Sequence, residues 1–278
     1  MKEIGNRNGI QPTEGTATKG ILRPSAIDKK FTLFRHTPSE ELAYFIEHFW
    51  IVRWDLRGTE PYDSETLPFP SVHIVIERDR ADVWGVVTGR FTRRLEGKGR
   101  AFGIKFRPGA FRQFIDRPVS DLTDRKSPVA EIFGQSGERL VNDLNSLNGD
   151  SEMVEAAETF INSINPRHDR NIDLVNRVIG RIISERQVTS VQQVVNSEGI
   201  GKRSLQRLFD DYAGVGPKWV IKRYRLQEAA DSLAGGKEID LPKLALDLGY
   251  FDQAHFIKDF KTIIGVTPGE YSRTSAAS

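Results

Sequence analysis

Arg203, Gln206 and Arg207 lie within five residues of one another, with Lys202 and Ser204 beside them. Guanidinium and carboxamide groups can pair bidentately with guanine O6/N7 and adenine N6/N7 in the DNA major groove, and Lys and Ser suit phosphate oxygens. Further on, Gln253, His255, Lys258 and Lys261 repeat the theme with fewer cations. In both groups apolar residues interleave at helical spacing: Leu205, Leu208 and Phe209 in the first, Phe256 and Phe260 in the second. Each group therefore has an inward face to bury and an outward face to offer a polyanion. The chemistry implied is recognition.

The rest of the composition favours recognition over catalysis. The 278 residues contain no cysteine, which removes disulfides, thiolate nucleophiles and sulfur-ligated zinc. The five histidines (His36, His48, His73, His168, His255) are never spaced H-x-H or H-x-x-x-H, so a metal centre would need long-range assembly. No metal or other cofactor is expected, and no nucleophile motif supports an enzyme. The main rival is a metal-binding or small-molecule-binding cupin-like enzyme with an accessory DNA-binding domain. The net charge of +2 decides little. From Gly199 to Arg225, however, seven cations (Lys202, Arg203, Arg207, Lys218, Lys222, Arg223, Arg225) face Asp210 and Asp211, a balance of +5. Such a cluster suits phosphates, although a solvated charged face has the same composition. No apolar run approaches the roughly 20 residues of a membrane span, and Met1 to Lys19 lacks a secretory apolar core, so a cytoplasmic protein with a disordered tail over 1–20 is expected.

The two polar groups require a helical scaffold that occurs twice. A helix from Ile172 to Ser184 carries a stripe of Leu174, Val178 and Ile182. Thr189 or Ser190 can cap a second helix, Val191 to Ser197, which Gly199 stops. Lys202 to Tyr212 then forms the helix that presents the first group. The same order returns fifty residues later (199 to 249): Asp240 as N-cap, Leu241 to Leu248, a turn at Gly249, and a helix from Asp252 to Ile264. A short helix, a tight turn and a second amphipathic helix is a helix-turn-helix. Between the units Gly216-Pro217 opens a further helix, and Leu226, Ala229, Ala230 and Leu233 follow at i, i+3, i+4 and i+7 up to Gly235-Gly236. About 17 residues at ~1.5 Å each give a strut of roughly 25 Å, near the ~34 Å of one DNA turn. From Asp240 to Lys261 three Lys oppose four Asp, so the first unit should supply most phosphate affinity and the second tune specificity.

The N-terminal half reads as strands. Phe31 to Arg35, Phe45 to Leu56, Val72 to Ile76, Val83 to Val87 and Phe102 to Phe106 are short, apolar and rich in aromatic or β-branched residues, with a short helix expected at Ser39 to Tyr44. Trp50, Trp54, Trp84, His48 and His73 are more simply strand-core residues than pocket residues. After Pro108 the periodicity turns helical, with Phe133, Leu140, Leu144 and Leu147 on one side, until the polar stretch Asn165 to Asn171, which has no core residue to hold it. The fold class is α+β: an N-terminal β-barrel or sandwich-like domain with appended helices over 21–165, then an all-α domain of two helix-turn-helix units joined by a linker helix over 166–278.

Ser204-Leu205-Gln206-Arg207-Leu208-Phe209, Gly214-x-x-Pro217, Arg225-Leu226-x-x-Ala229-x-x-x-Leu233, Ala245-x-x-x-Gly249-Tyr250, Asp252-x-x-His255-Phe256, Phe260-Lys261 and Gly265-x-Thr267-Pro268-x-x-Tyr271 closely resemble the AraC/XylS family of bacterial transcription regulators. Val195 departs from the family's usual Ala and Gly201 from its frequent Ser. Val86-Val87-Thr88-Gly89 and Gly103 to Phe111 resemble an N-terminal domain found in some members. The resemblance implies double-stranded DNA as partner and sequence-specific transcriptional control through two recognition helices. RNA polymerase, a small-molecule effector and a second copy of the chain are its further expected partners, with no membrane. The expected DNA-contacting residues are Lys202, Arg203, Ser204, Gln206, Arg207, Gln253, His255, Lys258 and Lys261. DNA-repair methyltransferases that share this DNA-binding domain need a reactive cysteine, which this chain lacks.

Overall fold

The computed structural model describes residues 30–78, 80–234 and 239–276. The expected tail over 1–20 and the Gly235-Gly236 helix stop lie outside them. Eight strands come first: β1 (Phe31–His36), β2 (Ile46–Asp55), β3 (Tyr62–Thr66), β4 (His73–Glu77), β5 (Arg80–Trp84), β6 (Phe91–Leu95), β7 (Lys98–Phe106) and β8 (Lys126–Pro128). Six form an antiparallel sheet in the order β1-β2-β7-β4-β5-β8, while β3 and β6 pair separately as a ribbon. Period-two alternation sends Phe49, Ile51, Ile74, Ile76, Phe102 and Ile104 to one face of the sheet. There they share a core with Leu140 and Leu144 of α1 (Val129–Ser146) and Phe160 and Ile161 of α2 (Asp150–Ile164). The opposite face bears His48, Trp50, Trp54, His73 and Trp84.

Two glycines shape that opposite face. Trp50 pairs with Gly103 and Trp54 with Gly99 across β2 and β7. A Cβ on Gly103 would lie 1.9 Å from the Trp50 ring, and one on Gly99 2.2 Å from the Trp54 ring. The missing side chains let both indoles lie across the neighbouring strand.

Several expected local elements differ. Ser39 to Tyr44 forms hydrogen-bonded turns in place of a helix, because Phe45 and Ile46 both donate to Leu42 O and lead directly into β2. The strand expected at Val83 to Val87 ends at Trp84, since Gly85 is pressed onto Leu122, whose carbonyl oxygen a Cβ would meet at 1.8 Å. The ribbon strands Tyr62–Thr66 and Phe91–Leu95 have no apolar run in the sequence; their polar residues form a covering ribbon. The polar stretch Asn165 to Asn171 is held by distant polar groups where apolar ones are lacking. Tyr44 Oη donates to the Asp169 carbonyl (2.9 Å), Tyr212 Oη donates to Asp169 Oδ2 (2.7 Å), and His168 stacks on Tyr44.

The helices that follow are α3 (Arg170–Ser184), α4 (Val191–Glu198), α5 (Lys202–Leu208), α6 (Pro217–Ala234), α7 (Leu241–Asp247), α8 (Gln253–Ile264) and α9 (Pro268–Ala276). The buried stripe of α3 is Ile172, Val175, Val178, Ile179 and Ile182, with Leu174 only half-buried. Ser190 caps α4 through a reciprocal pair with Gln193, and Gly199 stops it at φ 64°. The chain expected to continue as a helix to Tyr212 changes pitch at Phe209–Ala213, a π turn closed by Gly214 at φ 78°. Asp240 caps α7 and Asp252 caps α8, each accepting from the backbone amide three residues on.

Candidate nucleic-acid interface

Helix α6 belongs to two cores at once. Its Val220 and Ile221 pack with Val178, Val194, Leu205 and Phe209 of the first unit. Its Leu226, Ala229, Ala230 and Leu233 pack with Ala245, Phe256 and Phe260 of the second. Eighteen residues at ~1.5 Å make α6 about 27 Å long. The two units touch near its flank as well, where a Cβ on Gly249 would lie 2.8 Å from Thr189 Cβ. Gly249 has φ 82°, and its conformation, like its lack of a side chain, is fixed by that turn.

On α5, Leu205 is fully buried while Lys202, Arg203, Ser204, Gln206 and Arg207 are exposed. Gly201 precedes them as an N-cap without a side-chain bond, leaving first-turn amides open. Gln206 Nε2 donates to Asp210 Oδ1 at 2.9 Å, which holds the carboxamide along the helix. On α8, Phe256 and Phe260 are buried, His255, Lys258 and Lys261 are exposed, and Gln253 is half-buried. The imidazole of His255 is tethered to Asp259 (Nε2 to Oδ2, 3.3 Å), which also receives Lys222 Nζ from α6 at 2.9 Å. Tyr250 packs edge-on against His255 and Phe256.

The +5 cluster is divided by the fold. Arg225 is fully buried and donates to both oxygens of Glu228 (2.7 and 2.8 Å) and to the Ile182 carbonyl. Arg223 is equally buried and donates to Pro68 O at 2.6 Å. Burial pushes the Arg223 guanidinium down to about 10, so it stays charged at neutral pH. With Lys222 paired, the outward cations of that segment are Lys202, Arg203, Arg207 and Lys218. Sequence reading also missed the clamp behind the first unit: Glu198 at the end of α4 lies between Arg177 (3.0 Å) and Arg181 (3.2 Å) of α3. Their i, i+4 spacing on a charged helix face was the available signal.

The N-terminal half touches this scaffold at several points. Trp219 Nε1 donates to Thr88 O (3.1 Å), Arg112 Nε donates to Asp211 Oδ1 (2.9 Å), and Thr123 Oγ1 donates to Gly214 O. Val86 enters the first unit's core and Leu67 the second's. Arg90 crowds Gly265, where α8 ends at φ 96°.

Between the six-stranded sheet and the β3–β6 ribbon lies a cavity of about 500 Å³. Trp50, Trp54, Trp84, His48 and His73 all line it, so the simpler expectation of strand-core residues gives way. The glycines of β7 keep their side of the sheet open. Burial, aided by Lys105, lowers His48 to about 4 and His73 to about 3, so both imidazoles are neutral at physiological pH. Lys105 is bonded to Glu47 at 2.9 Å and is itself lowered by burial. Among the described residues no group of three or more His, Asp or Glu is placed to hold a metal ion, and no helix is long and apolar enough to cross a membrane.

Two side-chain-capped short helices (Ser190 and Asp240), two glycine turns and two outward polar helix faces on one strut define a tandem helix-turn-helix arrangement. Residues 194–274 match the family described as "Helix-turn-helix domain", and residues 34–128 match "Domain of unknown function (DUF6597)". The chain is 33% identical over 81 residues to the probable transcription factor PqrA of Proteus vulgaris, a match covering 29% of this chain and 66% of that protein. It is 22% identical over 161 residues to an HTH-type transcriptional regulator of Haemophilus influenzae, covering 53% of this chain and 52% of that protein. Among solved structures, a probable AraC family transcriptional regulator from Rhodopseudomonas palustris is 25% identical, with 37% of this chain and 97% of that chain covered and a TM-score of 0.34. Residues 194–274 thus carry a helix-turn-helix domain of the AraC type, preceded by a second family domain over residues 34–128.

Proposed function

We propose that the protein is a sequence-specific transcriptional regulator that places α5 and α8 in successive major-groove segments on one face of duplex DNA. One observation supports this above the rest: on both helices the apolar residues are buried in cores that share α6, leaving Lys202, Arg203, Ser204, Gln206 and Arg207, and Gln253, His255, Lys258 and Lys261, as the faces on offer. Arg203, Gln206 and Arg207 read base edges or phosphates in the first groove, and Lys258 and Lys261 anchor the second. The β domain over 21–165 binds a small effector in its cavity and, through its grip on α6, biases how the readers are set. RNA polymerase and a second copy of the chain are the remaining proposed partners.

The test is capture of genomic fragments by the full-length chain, followed by binding of the enriched duplex across a salt series. The expected result is one recurrent sequence bound with log K falling linearly in log salt, with a slope of about −0.9 for each phosphate neutralised. Equal binding to any duplex, or a flat salt response, refutes the proposal.

A further inference from the structure

Three consecutive residues between β3 and β4 face two ways. Leu67, Pro68 and Phe69 all line the cavity. On the other side Leu67 packs with Leu226, Phe256 and Phe260 of the second reader, and Pro68 O accepts from Arg223 Nε of α6. The Phe69 ring is shared by two cations, Lys105 Nζ at 4.0 Å and Arg223 Cζ at 4.2 Å. Pro68 and Pro70 flank Phe69, and their fixed φ angles stiffen the segment.

Arg223 depends on that piece. It is 1% exposed, donates to Pro68 O and to Gln227, and lies against the rings of Phe69 and Tyr224, while Asp231 acts on it through its charge. A buried cation held by a carbonyl, a carboxamide and two ring faces is left under-compensated if one ring face withdraws. Because α6 belongs to both readers' cores, displacement at Arg223 acts on both.

The cavity also describes its occupant. Its floor is the pair of indoles lying across Gly103 and Gly99, a surface for a flat ring system. Its acids face cations of their own: Glu47 with Lys105, Glu77 with Arg93, Asp82 with Lys126. A cationic ligand would have to break one of these pairs, and an anionic one would compete with Glu47 for the field of Arg35, which also lines the cavity.

We propose that the Leu67–Phe69 segment couples the cavity to the DNA readers: a flat, uncharged, apolar compound bound over Trp50 and Trp54 displaces the Phe69 ring, and Arg223 and α6 loosen in response. This rests on the cavity being the effector site proposed above. The ligand shifts the equilibrium only through its preference for the displaced state.

The probe is N-phenyl-1-naphthylamine, a flat neutral arylamine, added to the full-length chain. Tryptophan emission reports binding, since three of the four tryptophans line the cavity. Hydrogen exchange over residues 217–234 reports coupling. In the unaltered protein we expect quenching with sensitised probe emission, and exchange in α6 faster by about fivefold or more. Phe69→Leu keeps apolar bulk but has no ring face; it should bind the probe with α6 exchange already raised and unresponsive. Phe69→Ala should behave the same way, and the leucine variant guards against a loss of fold. Unchanged α6 exchange at saturating probe, or a Phe69→Leu protein that responds like the unaltered one, overturns the coupling. Absence of quenching overturns the effector-site reading itself, and equally tight binding of 1-anilinonaphthalene-8-sulfonate overturns the uncharged class.

Discussion

Replacing Arg225 with methionine separates the arginines that build this scaffold from those that meet DNA. By sequence Arg225 sits in the same basic cluster as Arg207, yet it is fully buried, while Arg207 is exposed. Its guanidinium binds both oxygens of Glu228 and joins α6 to the last turn of α3 through the carbonyls of Ile182 and Glu185. Removing one partner of a buried pair costs about 3–5 kcal/mol, and each carbonyl left without a donor adds roughly 1–3 where water cannot reach it. Glu228 retains 23% exposure, so water takes part of that loss, and the methionine stem keeps most of the packing. We expect a loss of about 3 kcal/mol, read as a lower urea midpoint by far-UV circular dichroism at unchanged slope. Where the variant is still folded, the salt dependence of DNA binding should match that of the unaltered protein. Arg207→Ala should give the mirror image: stability within about 0.5 kcal/mol and a salt slope shallower by about one. A stability loss under about 1 kcal/mol for Arg225→Met, or a shallower salt slope with that variant, refutes the reasoning.

Three further outcomes follow. Arg207→Ala should weaken DNA binding more than Lys258→Ala at the same salt, because the outward cations of the first unit face fewer free acids; equal losses would remove the ranking of the two readers. The imidazoles of His48 and His73 are held below their ordinary value, so the unfolded chain binds more protons; stability should be complete above about pH 6.5 and fall as pH drops toward 4, by on the order of 3 kcal/mol for His48 alone. A double His48→Gln, His73→Gln variant should flatten that slope in urea titrations, and an unchanged slope would place the acid sensitivity elsewhere. Gly103→Ala puts a methyl inside the Trp50 ring, so stability should fall by about 1–3 kcal/mol or more, read as a lower urea midpoint, with a shift in tryptophan emission; a silent substitution would contradict the placement of the ring.

Most of the helical half was legible in the residues. Ser190, Gly199, Asp240, Gly249 and Asp252 carry local rules of capping and left-handed turns, and those rules act within a few residues of chain, where sequence is informative. The outward faces of α5 and α8 follow from the same periodicity. What could not be read was long-range. Arg223 and Arg225 look like surface cations until α6 is packed against Pro68 and Ile182. Trp50 and Trp54 look like ordinary core until their partners across the strand prove to be glycines. The β3–β6 ribbon was invisible because Asp63, Glu65, Arg93 and Arg94 carry no apolar signal, although the ribbon is what closes the cavity. Asn165 to Asn171 looks unheld because its partners, Tyr44 and Tyr212, lie far away in sequence.

The most direct test of two readers on one strut is methylation interference on the recovered duplex at one protomer per site. Two clusters of major-groove guanine N7 contacts are expected on one face of the DNA, centred about 10 base pairs apart, with Arg207→Ala erasing only the first and Lys258→Ala with Lys261→Ala only the second. A single cluster, or two that appear only at two protomers per site, would contradict that arrangement.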